Sequence, residues 1–502
     1  MKGRATWDVR ATNFAKKTFN PIRDIVENMN ITPHPDKPMI ALSIGDPTVF
    51  GNLRPAESVV DAVVDSVRSG KNNGYVPATG TLQARQAIAE YMTCPGAPVE
   101  AKDVIICSGC SCSLDLCVSV LCSPGSSILV PRPGFPLYTT LAEGFGCTSK
   151  YYNLLPEKNW QVDLVHLESL VDDTTVAIVI NNPSNPCGSV FPKSHLRAIA
   201  DIAVKYKIPI IADEIYDNFV FEGEEYHPIA SVHPELPVLA CGGLTKRFLV
   251  PGWRMGWIAV HDRNGAMQEV LGCLRTLSQR IIGSNTIVQG ALPDILSKTP
   301  QSFFDDTLKQ IQVNARYCYE SVQKMPGLTP ILPQGAMYMM VRINMDEFPE
   351  FATDLEFVEA MVAEESVFCL PGKCFNIKNF FRIVLTVPEE TMKVACQRMT
   401  SFCIAHHTGQ KQTKIHEDSI SNSIQTEEPT INEIDESPKT NGNSANGYHI
   451  NGKTNGMHEP THRRINELDV EPSVKNPTGM NEKLRSCEDA NVDDLVDDME
   501  CD

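Results

Sequence analysis

Between residues 104 and 240 short apolar runs recur without polar alternation: Val104-Ile-Ile-Cys107, Ile128-Leu-Val130, Val176-Ala-Ile-Val-Ile180, Ile208 to Ala212 and Val238-Leu-Ala240. A strand with one wet face alternates polar and apolar positions, whereas a continuous apolar run is buried on both sides. Helical patterns separate these runs; Leu114 to Leu121 is one, preceded by the small residues Ser108-Gly-Cys-Ser111. Strand and helix in alternation predict an α/β fold, a mainly parallel sheet covered by helices on both faces. Ligands of such sheets sit outside the carboxyl ends of the strands. Residues 73–320 are expected to form this larger domain. Residues 1–72 and 321–406, with strand signals such as Ala336-Met-Tyr-Met-Met-Val341, are expected to form a smaller α/β domain beside it.

The pattern stops near His406. The stretch 407–502 is rich in Asn, Thr, Ser, Glu and Asp, and Tyr448 is its only aromatic residue. Such a segment buries too little apolar surface to offset its ordering entropy. It is expected to be a disordered acidic tail, dispensable for catalysis.

Charge narrows the partners. A formal net charge of -18 argues against nucleic acid or an anionic membrane surface. No apolar run approaches the roughly 20 residues of a membrane span. The basic opening MKGRATWDVR has no apolar stretch behind it, so no secretory signal is read. The seventeen cysteines are therefore taken as reduced thiols in the cytosol. A mitochondrial leader is the alternative, since the first twenty residues are basic and carry hydroxyls. Five cysteines between Cys107 and Cys122 lack the histidine or second cysteine pair of a zinc site, so no metal is expected.

The unusual polar residues cluster after strand ends. Lys246, in Gly242-Gly-Leu-Thr-Lys-Arg247, follows a buried run. An amine held where water is scarce becomes a nucleophile able to form a Schiff base. Arg254, in Pro251-Gly-Trp-Arg254, offers a fork for a phosphate. Asp213 and Tyr216 stand in Asp-Glu-Ile-Tyr. Such a carboxylate suits a pyridinium nitrogen, although a helix N-cap would use the same residue. Asn185 lies in the irregular loop Asn181-Asn-Pro-Ser-Asn-Pro-Cys-Gly188, where its amide suits a cofactor oxygen or a substrate carboxylate. Free N–H groups at the start of the helix near Gly109, Cys110 and Ser111 favour an anion.

Together, the Asn-Pro loop, Asp-Glu-Ile-Tyr and Lys246-Arg-Phe-Leu-Val-Pro-Gly-Trp-Arg254 resemble the fold-type I aminotransferases, which depend on pyridoxal 5'-phosphate (PLP). Leu42-Ser-Ile-Gly-Asp-Pro-Thr-Val-Phe-Gly-Asn-Leu53, Pro131-Arg-Pro-Gly-Phe135 and Lys16-Lys-Thr-Phe-Asn-Pro-Ile-Arg23 are similar to the branch of that family acting on tyrosine. The resemblance covers residues 1–405. It implies that Lys246 carries the cofactor and moves a proton between the substrate α carbon and the cofactor's C4′. It implies that Asp213 meets the pyridine nitrogen, that Tyr216 and Asn185 hold the phenolic oxygen, and that Phe135 stacks on the ring. Gly109, Cys110, Ser111 and Arg254 would bind the phosphate, with Tyr75 reaching the phosphate of a neighbouring subunit in a homodimer. Arg382 would clamp the substrate α-carboxylate, with Asn185 and Gly45 as further substrate contacts. Many relatives carry a hydroxyl where this chain has Gly243, so one phosphate contact is expected to be missing. The implied reaction passes the amino group of tyrosine to 2-oxoglutarate. A broad aromatic, kynurenine or alanine aminotransferase is the near alternative, and a PLP lyase of the aminocyclopropane-carboxylate synthase kind a more distant one.

Overall fold

In the computed structural model, which describes Trp7 and residues 9–29 and 31–409, eight strands form the central sheet. Their order is Val104–Cys107, Gly256–His261, Val238–Gly243, Ile210–Asp213, Thr175–Asn181, Ser127–Arg132, Thr148–Leu155 and Gln161–Val162. Neighbours from Val238–Gly243 through Thr148–Leu155 run parallel. Gly256–His261 is antiparallel to both of its neighbours, and Gln161–Val162 closes the other edge antiparallel. The mainly parallel α/β sheet expected from the apolar runs is therefore present.

Its two faces support separate apolar cores. Ile105, Val179, Ile211 and Leu239 pack on one side with Leu114 and Cys117 of the helix Cys110–Leu121 and Leu271 and Leu274 of Gln268–Ser278. Ile106, Ile178, Ile210 and Val238 pack on the other with Leu196 and Ile199 of Lys193–Tyr206 and Val288 and Leu292 of Thr286–Lys298. Alternate side chains of each strand thus go to opposite helical layers, which explains why the runs show no polar positions.

Three strands of this sheet escaped the apolar pattern, one of them the two-residue edge strand Gln161–Val162. Thr148–Leu155 lies next to the edge and is only partly buried over most of its length. Gly256–His261 is wholly buried and begins directly after the Pro-Gly-Trp-Arg turn. The first sheet helix begins at Cys110 rather than Leu114, because Gly109 turns the chain with φ +83° as its N-cap.

A four-stranded antiparallel sheet, ordered Leu328–Pro330, Tyr338–Ile343, Phe380–Val384, Leu370–Pro371, stands beside the large one. Phe357 of the helix Asp354–Glu365 and Phe402 of Glu389–His406 pack edge to face, and Phe357 stacks on Phe381 of the sheet. All three rings are buried, and truncating one to alanine would cost about 3–5 kcal/mol. The early segment Ile40–Ala41 joins this region by pairing parallel with Val367–Phe368. That pairing brings Leu42 and Ser43 alongside the strand that carries Arg382. Among the described residues no helix is long and apolar enough to cross a membrane. The expected disordered tail lies, from residue 410 on, outside the described residues.

Candidate active site

At the carboxyl ends of the parallel strands, Lys246, Asp213, Tyr216, Asn185, Arg254, Arg382, Phe135, Cys110, Ser111 and Gly45 line one cavity of about 290 Å³. Larger cavities exist elsewhere, but neither gathers a lysine, a buried carboxylate and two arginines.

Asp213 ends the central strand and is 3% exposed. One carboxylate oxygen accepts from the Tyr138 hydroxyl at 2.6 Å; the other accepts from the Ile215 N–H at 3.3 Å and lies 3.7 Å from the Cys110 thiol. No regular helix follows it, so it is not a helix N-cap. Burial pushes its pKa up, while the bonds from Tyr138, Ile215 and Cys110 pull the other way. The Asn185 loop is tied to the same strand end. Asn181 donates to the Asp213 carbonyl at 3.0 Å and accepts from the Asn185 N–H at 2.7 Å.

Lys246 follows the next strand, and its amine donates to the Gly45 carbonyl at 2.6 Å. It stands 5.9 Å from the centre of the Tyr216 ring. The bare Gly243 has a steric reason: a Cβ there would lie 2.7 Å from the Met255 carbonyl and 3.0 Å from the Gly256 Cα. The antiparallel neighbour leaves no space for a hydroxyl-bearing side chain at that position.

Arg254 donates to the Pro251 carbonyl at 3.0 Å and the Ser108 carbonyl at 3.1 Å. Its guanidinium lies flush against Gly109, where any Cβ would collide with it. The guanidinium and the free N–H groups of the helix Cys110–Leu121 thus meet at one place, the receptor a phosphate needs.

Arg382, on the strand Phe380–Val384 of the smaller sheet, is 3% exposed. It donates to Asn185 Oδ1 at 2.9 Å and to the Ser43 carbonyl at 2.7 Å. Its guanidinium lies 4.3 Å from the Tyr338 ring centre and 4.9 Å from that of Phe375. Its Nε has no partner, and no carboxylate pairs with it among the described residues. Burial lowers its pKa. A buried cation with an unused donor is a receptor awaiting an anion.

Two tyrosines complete the site and were not foreseen. Tyr138 supports Asp213 from the helix Leu137–Gly144. Tyr338 is 2.8 Å, hydroxyl to hydroxyl, from Tyr216. The string Ala336-Met-Tyr-Met-Met-Val341 reads as an apolar strand, and nothing in that pattern marks its tyrosine. Tyr75 is not brought to the cavity. It is 92% exposed, on the loop between the helices Glu57–Ser69 and Leu82–Met92.

The residues fit PLP: an amine, a buried carboxylate, a phenol and a phosphate receptor converge, and the Gly109 backbone leaves Arg254 its place. Comparison with known proteins agrees. Residues 37–399 match the family model for aminotransferase class I and II. Tyrosine aminotransferase of Bos taurus is 55% identical over 80% of this chain and 91% of its own length. Tyrosine aminotransferase of Homo sapiens is also 55% identical, over 81% of this chain and 90% of its own. The crystal structure of tyrosine aminotransferase from Leishmania infantum superposes with a TM-score of 0.77 at 34% identity, covering 80% of this chain and all (100%) of that one. The expected family is thereby borne out: the chain belongs to the class I and II aminotransferases and is a PLP-dependent enzyme.

Proposed function

We propose that this aminotransferase takes the amino group of L-tyrosine and passes it to 2-oxoglutarate, yielding 4-hydroxyphenylpyruvate and L-glutamate. The observation that carries the reading is the 55% identity to tyrosine aminotransferases over four-fifths of the chain, together with a cavity lined by both the Lys246 amine and Arg382, which has no carboxylate partner among the described residues.

When bound, PLP supplies an electron sink for the charge left on the substrate α carbon. The chain's own residues do the rest. Lys246 carries the cofactor and moves a proton between the α carbon and C4′. Asp213, shielded from water, keeps the ring nitrogen protonated. Tyr216 donates to the phenolic oxygen. Asn185 spends its Oδ1 on Arg382, which leaves its NH₂ for that same oxygen. Phe135, which lines the cavity, would stack on the ring. Arg254, Ser111 and the N–H groups near Gly109 and Cys110 hold the phosphate. Arg382 binds the α-carboxylate as a fork, with Gly45 bordering the substrate.

The active form is proposed to be a homodimer. Tyr75 is exposed, and Leu82, Ile281 and Ile282 lie bare on the same molecule; Gly283 packs near Ala78 of the Tyr75 loop. A cytosolic setting suits the free thiols found among the described residues, and cell fractionation tests it. The holoenzyme, given tyrosine and 2-oxoglutarate, should release 4-hydroxyphenylpyruvate and glutamate in equal amounts. Faster turnover of alanine or kynurenine would replace the substrate assignment, and product without glutamate would replace transfer by a lyase reaction.

A further inference from the structure

We infer that Tyr338 is a positioning residue whose hydroxyl governs how strongly Tyr216 holds the cofactor's phenolic oxygen, while its ring carries the carboxylate-binding guanidinium of Arg382. This rests on the reading that Tyr216 meets that oxygen.

The geometry is direct. Tyr338 and Tyr216 are buried, with hydroxyls 2.8 Å apart and rings packed edge to face. A phenol has one proton to donate. If Tyr216 gives its proton to the cofactor, the bond between the two hydroxyls must be donated by Tyr338. A hydroxyl that accepts one bond becomes a better donor in the next. Burial, with Tyr338 beside it, pushes the Tyr216 pKa well up, which keeps that proton in place. The ring centre of Tyr338 lies 4.3 Å from the Arg382 guanidinium, a contact that favours the charged form of a cation stripped of water. Gly45 backs the same hydroxyl: a Cβ there would press on it from 2.9 Å. One side chain therefore touches the residues proposed to hold the cofactor oxygen, the substrate carboxylate and the substrate's edge.

The two halves of Tyr338 separate experimentally. The readout for the hydroxyl is the pH at which the visible band of the lysine-bound cofactor changes in the holoenzyme. A bond donated to the phenolic oxygen weakens that oxygen's hold on the neighbouring proton, so a weaker donor lets the proton stay to higher pH. Tyr338→Phe should raise this transition by about one pH unit, the worth of one hydrogen bond. KM should stay within about twofold, because the aromatic face remains. Tyr338→Leu removes the face as well and should raise KM about tenfold for every amino-acid substrate. Gly45→Ala, which displaces the hydroxyl without removing the ring, should move the band in the same direction as Tyr338→Phe. Tyr216→Phe should shift the band at least as far, and the double variant Tyr216→Phe/Tyr338→Phe no further. An unmoved band in Tyr338→Phe, or additive shifts in the double variant, would overturn the inference. An unmoved band in Tyr216→Phe would instead remove the role given to Tyr216, and that of Tyr338 with it.

Discussion

Glu214 follows Asp213 in the chain but points away from the cavity, and it is 3% exposed. One of its oxygens accepts from the Ile229 N–H at 3.0 Å. Burial pushes its pKa up to about 7; the bonds from Ile229 and Tyr226 oppose this, and the nearby carboxylates of Asp217 and Asp213 add to it. The folded chain therefore keeps this proton to higher pH than the unfolded chain does. The associated stability is complete below the unfolded value near 4.5 and is lost as pH rises toward 7. The interval corresponds to about 3 kcal/mol. Glu214→Gln keeps an acceptor for Ile229 and removes the titration. Its stability should match the wild type in acid, then exceed it progressively, by up to about 3 kcal/mol at pH 8. Urea unfolding midpoints of the two holoenzymes, measured at a series of pH values, test this. A difference that stays constant with pH would mean that Glu214 does not titrate in this interval and that the burial argument fails.

Lys246→Ala should abolish turnover with the fold intact, and borohydride reduction of the wild-type holoenzyme should label this lysine; a label elsewhere would sink the assignment. Arg382→Ala should weaken every amino-acid substrate by about 2–5 kcal/mol in kcat/KM, as expected when a buried charge partner is removed. Loss confined to one substrate would put Arg382 in the side-chain pocket instead. Mixing inactive Lys246→Ala with an inactive Tyr75 variant should restore some activity, since one site of each heterodimer regains both residues. A fully active monomer in sedimentation would refute the shared site.

The central sheet was legible because its strands are buried on both faces: Val176 to Ile180 and Val238 to Ala240 have no polar position to disguise them. Thr148–Leu155 was not, since an edge-proximal strand mixes Lys150 and Asn153 with its apolar residues. The chemistry was legible where a polar residue follows an apolar run, as at Asp213 and Lys246, whereas Arg382 was reached only through the family resemblance. Tyr138 and Tyr338 were hidden for the opposite reason. Their rings satisfy an apolar pattern completely, and only the fold shows that each hydroxyl reaches a partner distant in sequence. The smaller sheet was marked only weakly, because it is assembled from short strands, and the pairing of residues near position 40 with Val367–Phe368 forms a separate two-stranded sheet.

Arg382 is held by an amide oxygen and a main-chain carbonyl and, among the described residues, by no carboxylate. Electroneutrality at that point is thus left for a visitor to supply. In a reaction that must admit one acid and discharge another within each cycle, a built-in counterion would compete with both. A neutral cradle makes exchange of anions the natural traffic of the site. It also leaves the site unable to tell a substrate's carboxylate from that of any other small acid, so discrimination has to come from whatever is attached to it.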